Sequence, residues 1–250
     1  MTGDPAHPRF LDLDGVRLAY RLRPGSAPAL AFLPGYASDM EGAKALALEA
    51  FAARCGVAML RFDYSGTGMS SGRFEDGTLE RWLDEAQAVV ARLVEGPVIL
   101  VGSSMGGWIS LHLALRLPER VRAVVGIAAA PDFTDWGFTA EQKRELLEHG
   151  KIERPNPYGG EPQLTTRAFW QSGEELRLLG GPIAVDCPVR LVHGQNDNEV
   201  PVAVALRLME RLRSADVQLN ILKGGGHRLS EPREIAAIVR TVAALLEPMP

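Results

Sequence analysis

From residue 29 onward, the apolar positions alternate between a pattern typical of strands and a pattern typical of helices. Short apolar and β-branched runs predict buried strands, while apolar residues at i, i+3, i+4 and i+7 predict amphipathic helices. Residues 10–22 alternate around Asp14-Gly15, which predicts a hairpin of two antiparallel edge strands. The predicted apolar strands are residues 29–33, 57–62, 97–101, 121–130 and 189–193, and residues 217–222 alternate as a further strand. The predicted helices are residues 41–54, 78–93, 105–117 and 202–212, and Ser230 caps a last helix.

This alternation of strands and helices predicts an α/β fold with a mostly parallel eight-stranded sheet and helices on both faces. In such sheets, ligands bind beyond the carboxyl ends of the strands. Four residues lie at such ends in the sequence, namely Gly35, Asp63, Ser104 and Asp132. We therefore expect these residues to converge on one site.

The alternation breaks between residues 133 and 186, where no sheet strand is predicted. Thr139 and Gln142 form the capping-box pattern that opens a helix, and Gly150 suits the C-terminal cap of that helix. A second helix is predicted over residues 165–179. Residues 1–132 and 187–250 are therefore predicted to form one core domain, with residues 133–186 as a small inserted cap.

The turn between the strand at 97–101 and the next helix carries Gly102-x-Ser104-x-Gly106. A strand, a tight Gly-x-Ser-x-Gly turn and a helix together are typical of a nucleophile elbow, which presents a serine hydroxyl at its tip. The same pattern recurs around Ser70, but a polar loop rather than a helix follows it. This context favours Ser104 as the nucleophile of a serine hydrolase and rejects Ser70.

A serine hydroxyl needs a base, and the base needs an orienting acid. His227 lies on a glycine-rich loop after the last strand, and the order serine, acid, histidine favours it as the base. Asp197, in the loop after the strand at 189–193, is the predicted acid, with Glu199 and Asp132 as its competitors. The other histidines are His7, His112, His149 and His193.

The oxyanion of a tetrahedral intermediate needs two preorganised N–H donors. We predict the backbone amides of Met105, directly after the nucleophile, and of Tyr36, in the loop after the strand at 29–33. Six of the 16 aromatic residues lie between positions 133 and 170. They are Phe133, Trp136, Phe138, Tyr158, Phe169 and Trp170.

These rings have two possible roles. Aromatic side chains often fix one layer of a protein to another, so the rings would attach the cap to the core. Alternatively, some of them would line an apolar acyl pocket over Ser104. The candidate pocket residues are Trp108, Phe133, Trp136, Phe169 and Trp170.

Composition narrows the class of protein. The chain has 250 residues, a net charge of −4 and no basic stripe, so we expect no nucleic-acid partner. Its two cysteines form no metal or redox motif, and we expect neither metal nor cofactor. With no secretion signal and no apolar stretch long enough for a membrane span, we expect a cytoplasmic protein.

The triad residues in their contexts resemble the α/β-hydrolase superfamily over essentially the whole chain. Four stretches resemble a narrower subfamily, the mitochondrial acyl-protein thioesterases. They are residues 32–40 (FLPGYASDM), 61–66 (RFDYSG), 101–108 (VGSSMGGW) and 182–188 (PIAVDCP). The resemblance implies S-depalmitoylation and hydrolysis of activated esters such as acyl glucuronides. Because the chain starts without an Arg- and Ser-rich transit segment, we expect a cytoplasmic relative.

The predicted function is therefore a serine hydrolase that cleaves carboxylic esters or thioesters through an acyl-enzyme intermediate. Its substrate would be a small molecule or an acylated protein. A serine peptidase or a carbon–carbon bond hydrolase on the same fold stays open as an alternative. A receptor-type member that only binds its ligand stays open as well, because fold does not determine function.

Overall fold

The computed structural model describes residues 7–156, 159 and 162–246, and ten strands lie within this part of the chain. Eight of them form one sheet in the order β1-β2-β4-β3-β5-β6-β9-β10. Their bounds are β1 Arg9–Leu13, β2 Val16–Arg23, β3 Ser26–Leu33, β4 Val57–Phe62, β5 Val98–Ser103, β6 Val121–Ile127, β9 Val189–Gly194 and β10 Val217–Leu222. The other two, β7 Lys151–Arg154 and β8 Gln163–Thr166, pair antiparallel with each other.

The large sheet is parallel except at β2, which runs antiparallel to both β1 and β4. Asp14 and Gly15 make the β1–β2 turn with positive φ angles of 47° and 82°, as a tight two-residue hairpin requires. All six residues of β5, in the middle of the sheet, are buried. The predicted mostly parallel eight-stranded sheet is confirmed.

Helices cover both faces of the sheet. Their bounds are α1 Ala43–Cys55, α2 Leu79–Leu93, α3 Met105–Arg116, α4 Phe133–Trp136, α5 Ala140–His149, α6 Arg167–Glu175, α7 Val202–Arg211 and α8 Pro232–Leu246. Because side chains alternate along a strand, Leu100 packs on the side of α2, α3 and α7, and its neighbour Ile99 packs with α1 and α8. Both faces of the central strands are thereby buried.

The chain between β6 and β9 holds α4, α5, β7, β8 and α6, all within the predicted cap. The hairpin of β7 and β8 was not expected from the sequence, because each strand has only four residues and only one buried side chain. The second helix spans Arg167–Glu175 rather than residues 165–179, since Thr166 caps its N-terminus and the helix ends with Leu176 as its C-cap. The division of the chain into core and cap stays a prediction.

Asp63, directly after β4, holds two loops together. Its Oδ1 accepts the N–H of Met40 at 2.7 Å, and its Oδ2 accepts the N–H of Met69 at 2.8 Å. Arg61 Nη1 donates to the carbonyl of Met40 at 2.7 Å. The loop between β3 and α1 is therefore fixed at Met40 from both its N–H and its carbonyl side. Burial raises the pKa of the Asp63 carboxyl, although these N–H groups act against that shift.

Ser70, in the second Gly-x-Ser-x-Gly sequence, belongs to the same structural network. Its hydroxyl accepts the N–H of Ala19 at 2.8 Å and donates to the carbonyl of Asp63 at 2.7 Å. Ser70 therefore fixes a loop against β2. None of the helices in the described part of the chain combines the length and apolar character needed to cross a membrane.

Candidate active site

Ser104 stands alone at the turn between β5 and α3, with φ 53° and ψ −117°. This left-handed backbone is strained for a residue with a side chain, and such strain is concentrated at functional sites. The flanking glycines allow the turn, because a Cβ on Gly102 would overlap the backbone of Gly106. A Cβ on Gly106 would in turn lie 2.6 Å from the carbonyl oxygen of Pro34. The sequence folds into an elbow here because both positions lack a Cβ.

His227 connects the serine to a buried carboxylate. Its Nε2 lies 3.1 Å from Ser104 Oγ, and its Nδ1 lies 2.9 Å from Asp197 Oδ2. The imidazole is 13% exposed, and the Asp197 side chain is fully buried. Three side chains from three separate loops thus form one hydrogen-bonded row, as a Ser-His-Asp triad requires.

The loop after β9 holds Asp197 in place. The N–H groups of Glu199 and Val200 donate to its Oδ1 at 2.9 and 2.8 Å. Burial by itself would raise the pKa of the Asp197 carboxyl. The hydrogen bond and charge of His227, together with the two N–H donors, outweigh burial and lower that pKa. Asp197 therefore stays ionised at neutral pH, beside the Nδ1 of His227.

Asp132 and Glu199 were the competing candidates for the acid. Asp132 is buried, and its two oxygens accept the N–H groups of Leu178 and Leu179 at 2.8 and 2.7 Å. Asp132 thus holds the chain that returns from the cap. Glu199 lines the cleft, but it is the Oδ2 of Asp197 that meets the Nδ1 of His227.

The predicted oxyanion loop lies directly against the elbow. A Cβ on Gly35 would be 3.3 Å from both Ser104 Cβ and the carbonyl oxygen of Ser103. Met105 is the first residue of α3, so its N–H has no acceptor within the helix and is available to a ligand. The oxyanion roles of the Met105 and Tyr36 amides stay predictions.

The side chain of Tyr36 is anchored in the cap. Its hydroxyl donates to the carbonyl of Leu164 on β8 at 2.6 Å. Its ring centroid lies 4.6 Å from that of Phe169 and 6.0 Å from that of Phe133. The loop predicted to hold the oxyanion is thereby joined to the cap.

A cleft of about 1210 Å³ opens over Ser104 and His227. Its apolar lining includes Tyr36, Phe74, Phe133, Trp136, Leu164 and Val200. Phe133 and Trp136 thus lie where a pocket role would need them. The residues Lys44 and Arg154 also line the cleft, although sequence reasoning did not select them, because an isolated cation carries no motif.

The structure corrects the prediction for the other three rings, since among the described lining residues Trp108, Phe169 and Trp170 are absent. Trp108 is fully buried, and its Nε1 donates to the carbonyl of Leu176 at 3.2 Å. Phe169 packs behind Tyr36, and Trp170 packs against a small apolar cluster within the insertion. Trp108 and Phe169 therefore join the insertion to the core, whereas Trp170 packs within the insertion. Tyr158, another ring of the aromatic cluster at positions 133–170, lies outside the described residues.

Comparisons with known proteins agree with this architecture. The model of the "Alpha/beta hydrolase family" matches residues 30–238. The human protein named "Palmitoyl-protein thioesterase ABHD10, mitochondrial" is 39% identical over 238 residues, which is 94% of this chain and 78% of the human protein. The relatives of the same name from Bos taurus and Mus musculus are also 39% identical.

Two solved structures match the chain along most of its length. The mouse alpha/beta hydrolase domain-containing protein 10 superposes with a TM-score of 0.90 and 38% identity, covering 96% of this chain and 98% of its own. A hydrolase from Agrobacterium vitis S4 has the same TM-score and coverage at 40% identity. These matches confirm both the α/β-hydrolase fold and the resemblance inferred from the sequence.

The comparisons also correct one expectation. The sequence analysis expected a cytoplasmic protein, but the mammalian relatives are named as mitochondrial thioesterases. The cytoplasmic assignment is therefore wrong.

Proposed function

Since the chain belongs to the alpha/beta hydrolase family, we propose that it releases long acyl chains from thioesters, with Ser104 as nucleophile, His227 as base and Asp197 as orienting acid. Hydrolysis of carboxylic esters or thioesters follows from the family and the thioesterase relatives. The proposal itself has three parts: a preference for long acyl chains, a preference for acylated proteins as substrates, and the catalytic roles of the three side chains. The hydrogen-bonded row of Ser104, His227 and Asp197 beneath the cleft carries it.

The reaction proceeds in two halves. Ser104 Oγ attacks the thioester carbonyl while His227 Nε2 takes its proton, and Asp197 stabilises the imidazolium through Nδ1–H. The N–H groups of Met105 and Tyr36 bind the oxyanion. The imidazolium returns the proton to the leaving thiolate, and an acyl-serine remains. Water then attacks this ester with His227 again as base, which releases the carboxylic acid and restores the serine.

The cleft supports a long acyl chain. Phe133, Trp136 and Leu164 give it an apolar wall beside the nucleophile. Its volume of about 1210 Å³ exceeds the roughly 300–1,000 Å³ typical of small-ligand sites. An acyl chain therefore has room beside the thiol-bearing group. Each buried methylene contributes about 0.8 kcal/mol, which is about three- to fourfold in affinity.

A thioester series from acetyl to palmitoyl tests this proposal. We expect kcat/KM to rise by about three- to fourfold per methylene until the apolar wall is covered. Trp136→Ala should flatten this rise, because its ring lines the cleft. Trp170→Ala is the matched control: both indoles donate to a backbone carbonyl, of Pro131 and Thr134 respectively, but only Trp136 lines the cleft.

Equal kcat/KM for acetyl and octanoyl thioesters would contradict the long-chain preference. An equal loss of chain-length dependence in both tryptophan variants would contradict the role of the Trp136 ring in the apolar wall. A series of acylated peptides that differ only in acyl length, compared with the same acyl groups on a small thiol, separates protein from small-molecule substrates. Faster turnover of the peptides supports the acylated-protein substrate, and slower turnover contradicts it.

A further inference from the structure

A second imidazole lies behind the acid of the site. His193 is the fifth residue of β9 and is 1% exposed. Its Nε2 lies 2.8 Å from the carbonyl oxygen of Val200 and 3.4 Å from Asp197 Oδ2. Asp197 Oδ2 therefore has one imidazole on each side, with His227 towards the cleft and His193 towards the core.

The carbonyl of Val200 determines which nitrogen of His193 carries the proton. A carbonyl oxygen only accepts hydrogen bonds, so His193 Nε2 must carry the hydrogen that it donates. The same nitrogen lies 3.4 Å from Asp197 Oδ2. The ring thus connects the end of β9 to the end of the acid loop and contacts the carboxylate between them.

We propose that His193 is a positioning residue for the reaction, acting through Asp197. It holds the acid loop closed at Val200 and keeps Oδ2 aimed at His227 Nδ1. Without the ring, the Val200 carbonyl loses its donor and Oδ2 loses one of the groups that surround it. The carboxylate then gains freedom to turn away from His227, and the imidazole loses its orientation. This inference rests on the proposed catalytic roles of Ser104, His227 and Asp197.

The chain offers a matched control for this role. His112 is also a buried imidazole, and its Nε2 lies 2.9 Å from the carbonyl of Leu176. It sits on α3 among the rings that hold the insertion, without contact to the acid. His193→Phe and His112→Phe each remove one buried imidazole–carbonyl hydrogen bond and keep an aromatic ring. We expect similar losses of thermal stability in both variants.

Only His193→Phe should impair the chemistry. We expect its kcat to fall by about 10- to 100-fold with little change in KM, the range seen when a residue that orients a metal ligand is removed. His193→Gln, whose amide can donate from a similar position, should recover part of the rate. In an Asp197→Asn background, adding His193→Phe should cause no further fall in kcat, because the residue acts through the carboxylate.

The rate of Ser104 modification by a fluorophosphonate gives a readout that does not depend on the substrate. If wild type reacts and His193→Phe reacts equally fast, the positioning role is overturned while the proposed function stands. Equal losses of kcat in the His193 and His112 variants, or an undiminished effect of His193→Phe in the Asp197→Asn background, would also overturn it. If wild type itself does not react, the proposed function fails and this inference fails with it.

Discussion

Adding one methyl group at the elbow should disable the enzyme without unfolding it. In Gly106→Ala, the new Cβ would lie 2.6 Å from the carbonyl oxygen of Pro34 and closer still to that of Leu33. Ordinary contact begins at 3.4 Å, so the gap at Pro34 is 0.8 Å too small. The obstacles are backbone atoms, which cannot rotate away. Either α3 or the chain at residues 33–34 must therefore move.

The displaced segment leads into the predicted oxyanion loop, two residues before Tyr36. A shift near 1 Å in a reacting geometry can cost about 100-fold in rate, and we expect kcat to fall by at least that factor. Overpacking of a buried site costs roughly 1–3 kcal/mol of unfolding free energy, which is less than the 5–15 kcal/mol that most domains have. The variant should therefore remain folded.

The assay is thiol release from an octanoyl thioester, combined with urea denaturation of each variant. Gly181→Ala is the control, because a Cβ there would meet no described heavy atom within 4 Å and its φ is not left-handed. This control should keep wild-type kcat. A folded Gly106→Ala variant with wild-type kcat would refute the claim that the elbow and the oxyanion loop are held in register by this glycine.

Two further predictions concern pH. The pKa of the Asp197 carboxyl is lower in the folded protein than in the unfolded chain. Its ionised form therefore stabilises the fold above about pH 4, the pKa of an aspartate in an unfolded chain. This contribution disappears as the pH falls through the pKa of the folded protein. The difference in urea midpoint between wild type and Asp197→Asn should therefore shrink from pH 6 to pH 3, and a constant difference would contradict this. Burial and the nearby charge of Arg228 lower the pKa of Lys44 from 10.5 to about 8. Since the unfolded chain then binds more protons between these values, wild type should gain stability relative to Lys44→Met from pH 8 to pH 10, and a loss would contradict the assignment.

The central sheet and the elbow could be predicted from the sequence because several local sequence patterns agreed there. The central strands are mostly apolar, and Gly102 and Gly106 mark a tight turn between a strand and a helix. The order of Ser104, Asp197 and His227 along the chain then limited the candidates for the site. The structure brings these three side chains into one row.

The structure of the insertion was harder to predict because it depends on tertiary contacts rather than on local sequence patterns. The strands β7 and β8 are short and mostly polar, and they pair with each other. Which rings meet the cleft depends on helix rotation and packing, so the sequence alone could not separate Phe133 and Trp136 from Trp108, Phe169 and Trp170. In the sequence, His193 was only one of the other histidines considered for the base. Its contact with Asp197 could not be predicted, because it depends on the conformation of the loop after β9.

The most direct test of the central claim compares the two serines that carry the Gly-x-Ser-x-Gly pattern. Wild type, Ser104→Ala and Ser70→Ala are each incubated with a fluorophosphonate and assayed on an octanoyl thioester. We predict that Ser104→Ala loses labelling and about 10⁶-fold in kcat. Ser70→Ala should keep both, although losing its bonds to Ala19 and Asp63 should cost about 1–3 kcal/mol of stability. Wild-type turnover or labelling in folded Ser104→Ala would contradict the account.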